Sequence, residues 1–176
     1  MAIVASDIVK RLSVTTGSAG DSTAGTPAGA LGKYVSTTAI TDATVGNVFD
    51  DVSGAEALAG SVEYRCIFIL NNHASLTFYS ATVSLLSETA GGGAITIALD
   101  SIAASAKGSA SAQAAQIANE TTAPSGVGAF GTTPLALGDL APGQVRAIWY
   151  KRTVTAGASA LNPDGAILRI TGDTLP

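Results

Sequence analysis

The sequence lacks the residue types on which most catalytic and metal chemistry depends. Its 176 residues include one cysteine, Cys66, and one histidine, His73. A single cysteine excludes an internal disulfide, and a single histidine excludes a multi-histidine metal site within the chain. No G-x-S-x-G elbow precedes a predicted helix, and the glycine-rich stretch at residues 91–93 has no following lysine to cradle phosphate. The sequence therefore predicts no enzyme, no metal and no cofactor.

Charge and long apolar runs are also scarce. Charged residues make up 12% of the chain, about half of the usual share, and nine basic against thirteen acidic residues give a net charge of −4. Because the basic residues are scattered, we expect no nucleic-acid partner. The longest aliphatic and aromatic run, residues 66–70, is far shorter than the roughly 18 residues of a membrane-spanning helix. No hydrophobic region of signal-peptide length precedes Asp7, so we expect no membrane partner and no export by that route.

Small side chains dominate instead. The chain contains 33 Ala, 20 Gly, 20 Thr and 17 Ser residues. A monomeric surface usually carries about 25–35% charged residues, which this composition cannot supply. We infer that neighbouring molecules cover part of the surface. The alternative is a β-protein that stays soluble through its many hydroxyl groups.

Alternating apolar and polar residues, separated by turn residues, predict an all-β chain. The strongest pattern, SVEYRCIFILNN at residues 61–72, becomes apolar on both faces in its second half and so predicts a central strand. The predicted strands are residues 7–14, 33–40, 61–72, 76–87, 94–99, 145–154 and 167–170. Strands without regular intervening helices predict a single antiparallel β-sandwich, Ig-like or jelly-roll, over residues 1–176.

The connections carry further predictions. Residues 91–93, three glycines between two alternating segments, predict a β-hairpin with a flexible tip. Residues 15–32 contain almost no large apolar side chain and are interpreted as an extended arm or loop. Residues 101–130 are rich in Ala and Ser and are interpreted as a long loop with at most a short helix. Residues 41–53 form a turn-rich stretch, which Val48, Phe49 and Val52 are expected to pin to the core.

The remaining polar clusters favour plain interpretations. His73 is interpreted as a turn residue and Cys66 as a core residue. Asp42, Asp50, Asp51 and Glu56 lie close together in the sequence, but their spacing matches no ligand loop that we can defend. A solvated acidic turn is therefore favoured over a cation site. The pair Lys151 and Arg152, beside two aromatic residues of one strand, is too small to form a nucleic-acid groove.

Several stretches together resemble small virion structural proteins of tailed bacteriophages. The most specific is NVFDDVSGAEALAGSVEYRCIFILNN, residues 47–72. A second similarity pairs LGDLAPGQVRAIWYKRTVTAGA, residues 137–158, with DGAILRITGD, residues 164–173. The N-terminal SDIVKRLS, residues 6–13, is also similar. These stretches follow the same order as in that group of proteins.

The resemblance implies a non-enzymatic virion component built on a compact β-sandwich. We expect a capsid decoration or cement protein that binds and stabilises the assembled shell, made in the host cytoplasm. Its implied partners are the major capsid protein or other virion proteins, and further copies of itself in a trimer or dimer. A neck, collar or tail-surrounding protein is the alternative. A carbohydrate-binding sandwich module of a fibre or spike is the second alternative, which would need exposed aromatic residues on one face.

The resemblance does not identify contact residues, so we choose them from the N-terminal region and the 15–32 arm. A segment that orders on a neighbour can cover a large surface, which favours such regions as interfaces. The predicted interface residues are Ala2, Ile3, Val4, Ala5 and Ser6 in the N-terminal region, and Gly17, Thr26, Pro27 and Leu31 in the arm.

Overall fold

The computed structural model describes residues 2–19, 22–110, 113–159, 161 and 164–174. These residues form nine strands and two short helical segments. The helical segments are a 3₁₀ turn, Ala5–Asp7, and helix α1, Gly54–Ala59. The strands are β1 (Ile8–Val14), β2 (Tyr34–Ala39), β3 (Ser61–Asn71), β4 (Phe78–Glu88), β5 (Ala94–Leu99), β6 (Ser105–Ala106), β7 (Leu135–Leu140), β8 (Gln144–Val154) and β9 (Ala166–Asp173).

All strand pairs are antiparallel, and they form two sheets. The large sheet has the order β2-β1-β3-β8-β5, with β6 also pairing with β8. The small sheet has the order β7-β4-β9. Strand β3 lies in the middle of the large sheet, where Ile67 opposes Ile148 of β8. The predicted antiparallel β-sandwich and its central strand are thereby confirmed.

The two faces of β3 contact different cores because its side chains alternate in direction. Ile67 and Ile69 point towards the small sheet and pack with its buried residues, such as Val83 and Leu140. Phe68 and its neighbours of the same parity point the opposite way. This second, outer core contains Val35, Tyr64, Cys66, Phe68, Leu70, Ala98, Ala114, Ile117, Val145, Ala147 and Trp149. The large sheet is therefore buried on both faces.

The long connections cover this outer face. The backbone N–H groups of Ala114 and Ile117 donate to the carbonyl groups of Lys33 and Leu31, at 2.8 and 3.1 Å, which joins residues 101–130 to the end of the 15–32 segment and the residue after it. The Cys66 N–H donates to the carbonyl of Ala30 at 2.7 Å, so the 15–32 segment also extends the pairing of β3. The described part of these two connections thus packs on the chain's own sheet.

A buried carboxylate holds this cover in place. Asp100, 1% exposed, follows β5 directly. Its carboxylate accepts hydrogen bonds from the Trp149 indole N–H and the Ala115 backbone N–H, both at 2.9 Å, and from the Ile102 N–H at 3.0 Å. Strand β8, the end of β5 and the covering segment therefore meet at one side chain.

Two connections differ from the sequence-based interpretation. The predicted hairpin around residues 91–93 is wrong, because β4 belongs to the small sheet and β5 to the large one. Alternation on both sides of a glycine-rich turn shows two strands but does not show whether they pair. Helix α1 was not predicted, although Ser53 and Glu56 form a capping box, with the Ser53 N–H donating to Glu56 at 2.7 Å.

Gly32 supplies a test of the close approach between the two covering segments. Its φ is +91°, and a Cβ at this position would overlap the carbonyl oxygen of Ala115. We expect Gly32→Ala to lower the free energy of unfolding by about 2 kcal/mol or more in urea denaturation, since strain and steric overlap add. Gly143→Ala is the control, because Gly143 has a φ of +74° and nothing within 4 Å of the added atom. Equal losses in the two variants would contradict tight packing at Gly32.

Asp100 supplies a second test. Asp100→Asn keeps the size of the side chain but turns one acceptor atom towards an N–H group, so at least one of its three partners loses its hydrogen bond. We expect a loss of about 1.5–3 kcal/mol in unfolding free energy. Hydrogen exchange should become faster at Ile102, because the Asn oxygen keeps the most bonds when it faces Trp149 and Ala115. Asp139→Asn is the matched control, because exposed Asp139 accepts from the Ser80 N–H alone, at 2.8 Å, and an amide oxygen can replace that acceptor. Unchanged stability of Asp100→Asn would refute the anchoring role.

Candidate interaction surface

The N-terminal candidates lie at one end of the large sheet, beside the start of β1. The Asp7 carboxylate accepts a hydrogen bond from the Val4 N–H at 2.8 Å, and the Asp7 carbonyl accepts from the Asn72 N–H at 2.7 Å. Ile3 packs against the core between the sheets. Its neighbours Ala2, Val4, Ala5 and Ser6 are exposed, with Val4 at 57%. Ile3 is therefore an internal anchor, while its four neighbours are accessible for contact.

The interface candidates in the 15–32 arm also include both exposed and inward-facing residues. Thr26 is exposed and Pro27 is partly buried in a turn whose carbonyl groups accept from the N–H groups of Gly29 and Ala30, both at 3.1 Å. Leu31 packs against the outer core, so it faces the chain's own sheet. Gly17 is exposed.

The two groups of candidates lie apart. The N-terminal group precedes Ile8, which opposes Asn71 at one end of β3. The arm contacts β3 at Cys66, five positions away. At about 3.4 Å per residue, the two contacts are roughly 17 Å apart along the strand. The structure therefore does not combine them into one continuous patch.

The opposite end of the sandwich holds a cluster of charged side chains, the ionic end. It consists of Asp50, Glu63, Arg65, Glu120 and Arg152. Arg65 is fully buried and lies 2.5 Å from the Glu120 carboxylate and 3.7 Å from that of Asp50. Arg152 lies 2.6 Å from Glu63, which is 2% exposed, and 3.4 Å from Asp50. Asp50 thus bridges both arginines from the 41–53 stretch.

Phe49 closes the ionic end. Its ring lies 4.7 Å from the Arg152 guanidinium carbon and 5.4 Å from that of Arg65, and it packs edge-on against Tyr150. Of the three residues expected to pin this stretch to the core, Phe49 is confirmed, since it packs against the core between the sheets. Val48 and Val52 are partly buried but belong to neither core. Burial raises the pKa of the Glu63 carboxyl, and the nearby Arg152 guanidinium opposes that rise. The cluster is therefore a packed, paired part of the fold.

Sequence reasoning missed this cluster, although β3 carried a signal for it. Glu63 and Arg65 have the same parity as Ile67 and Ile69, so all four side chains point towards the small sheet. A strand face that continues from charged residues into isoleucines indicates that the charges are also covered. The partners could not be read in this way, because Arg152 follows Glu63 by 89 positions.

A second surface was also missed: the outer side of the small sheet, here called the small-sheet face. Ala81, Val83 and Leu85 of β4 point into the core, and so do Leu168 and Ile170 of β9. The alternate residues therefore point outwards. The small-sheet face consists of Thr82, Ser84 and the exposed Leu86 of β4 with Ile167, Arg169, Thr171 and Asp173 of β9.

Its two large apolar side chains are exposed, Leu86 at 53% and Ile167 at 57%. They lie beside each other, since the neighbours of Leu86 in β4 oppose Ile167 and Leu168 of β9. The Thr82 and Thr171 hydroxyl groups are 2.8 Å apart. The small-sheet face is thus a hydroxyl-rich surface with two exposed apolar side chains, one cation and one carboxylate.

The other polar candidates occupy separate positions. The Nδ1 atom of His73 accepts hydrogen bonds from the backbone N–H groups of Ser75 and Leu76, at 3.1 and 3.0 Å, and so stabilises a turn. Cys66 is fully buried, and burial raises the pKa of its thiol. Asp42 pairs with Lys10, whereas Asp50 belongs to the ionic end, so these two carboxylates do not form one site.

The aromatic residues do not form an exposed platform. Trp149 and Tyr150 are buried on opposite faces of β8. Tyr64 and Phe130 pack against each other over the outer core. All nine aromatic residues belong to the described part of the chain, and each is buried or partly buried. No helix among the described residues is long and apolar enough to cross a membrane.

No protein-family model, curated protein or solved structure matches this chain.

Arg152 provides the test of the ionic end. Arg152→Met leaves the buried Glu63 carboxylate without its closest partner, and we expect a loss of about 3–5 kcal/mol in unfolding free energy at pH 7. The loss should shrink as the pH falls, because the raised pKa of Glu63 allows the folded protein to take up a proton and remove the buried charge. Urea denaturation at pH 7 and pH 5 measures both effects.

Two further variants separate charge from packing in this experiment. Adding Glu63→Gln to Arg152→Met should restore part of the stability and remove its additional pH dependence. Lys10→Met breaks the pair with Asp42, whose side chain is 84% exposed, and should cost less than about 1 kcal/mol. A pH-independent loss in Arg152→Met would contradict the role assigned to Glu63.

Proposed function

We propose that the chain is a non-enzymatic structural protein of a tailed-bacteriophage virion, a capsid decoration or cement protein. It binds the assembled shell and bridges adjacent shell subunits, so additional contacts must be broken before the shell expands or ruptures. The observation that carries this proposal is the small-sheet face, a weakly charged surface with exposed apolar side chains on a sandwich whose large sheet is covered on both sides by its own chain.

The positions of the resembling segments support the proposal. Residues 47–72 supply the second half of the 41–53 stretch, α1 and β3, and residues 137–158 supply β8. These segments meet along the centre of the large sheet and at the ionic end, where Asp50 of the first segment contacts Arg152 of the second. The resemblance therefore includes residues that stabilise one common fold, and its segment 164–173 also supplies the β9 half of the small-sheet face.

The chemistry of the small-sheet face suits a large protein surface. Leu86 and Ile167 offer apolar area, and the surrounding hydroxyl groups can donate or accept hydrogen bonds without the desolvation cost of a buried charge. Exposed Val4 and its N-terminal neighbours provide a second, separate contact. Two contacts on different parts of the molecule are what bridging of adjacent shell subunits requires.

The alternatives differ in what they require. A carbohydrate-binding module needs aromatic rings open to solvent, and the buried positions of Trp149 and Tyr150 do not favour it. A neck, collar or tail-surrounding protein would have the same kind of surface. It differs from a cement protein in its copy number.

Quantitative mass spectrometry of purified phage particles, measured against the major shell protein, tests the proposal. We expect hundreds of copies at a fixed ratio to the shell protein. About a dozen copies would instead indicate a ring at the neck or tail and would exclude the cement function. Absence from the particles would overturn a virion role altogether.

The small-sheet face is tested by adding purified protein to shells that lack it. The double variant Leu86→Glu and Ile167→Glu should bind at least about tenfold more weakly, because two apolar contacts are replaced by charges. Val45→Glu is the matched control, since Val45 is 75% exposed in the 41–53 stretch, and it should bind normally. Normal binding by the double variant would exclude the small-sheet face.

A further inference from the structure

The edges of the large sheet are covered by the chain itself. At the β2 edge, the Thr37 N–H donates to the carbonyl of Thr23 at 2.9 Å. At the β5 edge, Ile97 and Gly131 exchange two hydrogen bonds, at 2.9 and 3.0 Å. Such cover prevents an edge strand from pairing with another molecule.

The small sheet is different. Among the described residues, β7 and β9 each pair with β4 alone. Strand β7 is irregular, with an extra residue between Ala136 and Gly138 and a φ of +80° at Gly138. Irregular edges pair poorly with a further strand. On the other side, both irregularities of the β4–β9 pair place the extra residue on β4, so β9 runs without interruption over its eight residues.

The charges of β9 are self-complementary. Arg169, Thr171 and Asp173 are exposed and share the outward-pointing parity. Within the described residues, neither Arg169 nor Asp173 has an ion-pair partner. In an antiparallel pair of two β9 strands, a two-fold axis at Thr171 places each Arg169 opposite Asp173 of the other copy.

In the neighbouring registers, Arg169 does not face Asp173 of the other copy. A two-fold axis at Arg169 would place two guanidinium groups opposite each other, which is unfavourable. An axis at Ile170 would place Arg169 opposite Thr171 and Asp173 opposite Ile167, without any ion pair. Charge therefore selects the register centred on Thr171.

We propose that β9 is a homodimerisation edge that pairs antiparallel with β9 of a second copy about a two-fold axis at Thr171. The two small sheets then form one continuous six-stranded sheet, and the two small-sheet faces form one larger surface. The inference concerns the protein in solution and does not rest on a place in the virion. Failure of either proposal therefore leaves the other standing.

Charge exchange is the first test. Sedimentation equilibrium of the full chain should show a dimer, and Arg169→Glu or Asp173→Lys alone should weaken association at least tenfold, because like charges then face each other. Both substitutions together exchange the charges and should return association to within about threefold of its original strength. Both residues are exposed, so these substitutions should leave the chain folded. Far-UV circular dichroism of each variant checks this.

The outcomes of this experiment are distinct. A monomer at all concentrations overturns the proposal. A dimer that neither single substitution weakens is formed by another surface, which also overturns it. Weakening by both single substitutions without recovery in the double variant overturns the register centred on Thr171.

Disulfide trapping tests the register directly. Thr171→Cys brings two thiols together at the axis, where opposed Cα atoms are about 4.5–5.5 Å apart, within the range of a disulfide. Ile167→Cys is the matched control on the same strand and face, since its two copies would be about 27 Å apart in this register. Native Cys66 is fully buried and does not compete. Oxidation should produce a covalent dimer of Thr171→Cys only, and equal cross-linking of both variants would overturn the register.

Discussion

Burial of both faces of the large sheet is the constraint on which the rest of the structure depends. Strands β3 and β8 are apolar on both sides, so a three-stranded partner sheet can bury only half of their apolar surface. The other half requires a second cover, which the chain makes from residues 15–32 and 101–130. A cover without helices or complete strands has few internal hydrogen bonds. The Asp100 carboxylate, at the end of β5, accepts hydrogen bonds from two N–H groups of this cover, those of Ile102 and Ala115, and from Trp149 of β8.

The packing of the long connections on the large sheet gives a reason for the many small side chains. Small side chains allow backbone to approach backbone closely, as at Gly32 beside Ala115, and so allow irregular segments to pack on a sheet. Much of the Ala, Gly, Ser and Thr content is therefore explained within the molecule. The surface that remains for a neighbour is the small-sheet face, the exposed residues of the N-terminal region and the edge of β9.

The ionic end shows how distant parts of the chain are combined. Glu63 and Arg65 come from β3, Arg152 comes from β8, and Asp50 reaches them from the preceding stretch. Buried ion pairs contribute little net stability but are costly to break, so they favour one arrangement of segments over others. The ion pairs therefore hold this end in one arrangement, while the exposed apolar side chains of the small-sheet face lie on the other sheet.

The sequence by itself determined the all-β class, the positions of most strands and the central place of β3, because alternation and two-sided apolarity are local patterns. It also carried a local signal for α1, the Ser53–Glu56 capping box. Only the tertiary structure decided which strands pair, since the segments around residues 91–93 alternate equally well in one sheet or in two. It alone turned Leu31 and Ile3 inwards and brought Asp50, Glu63 and Arg152 together. Contacts between residues so distant in the chain depend on the whole packing arrangement, which no local pattern records.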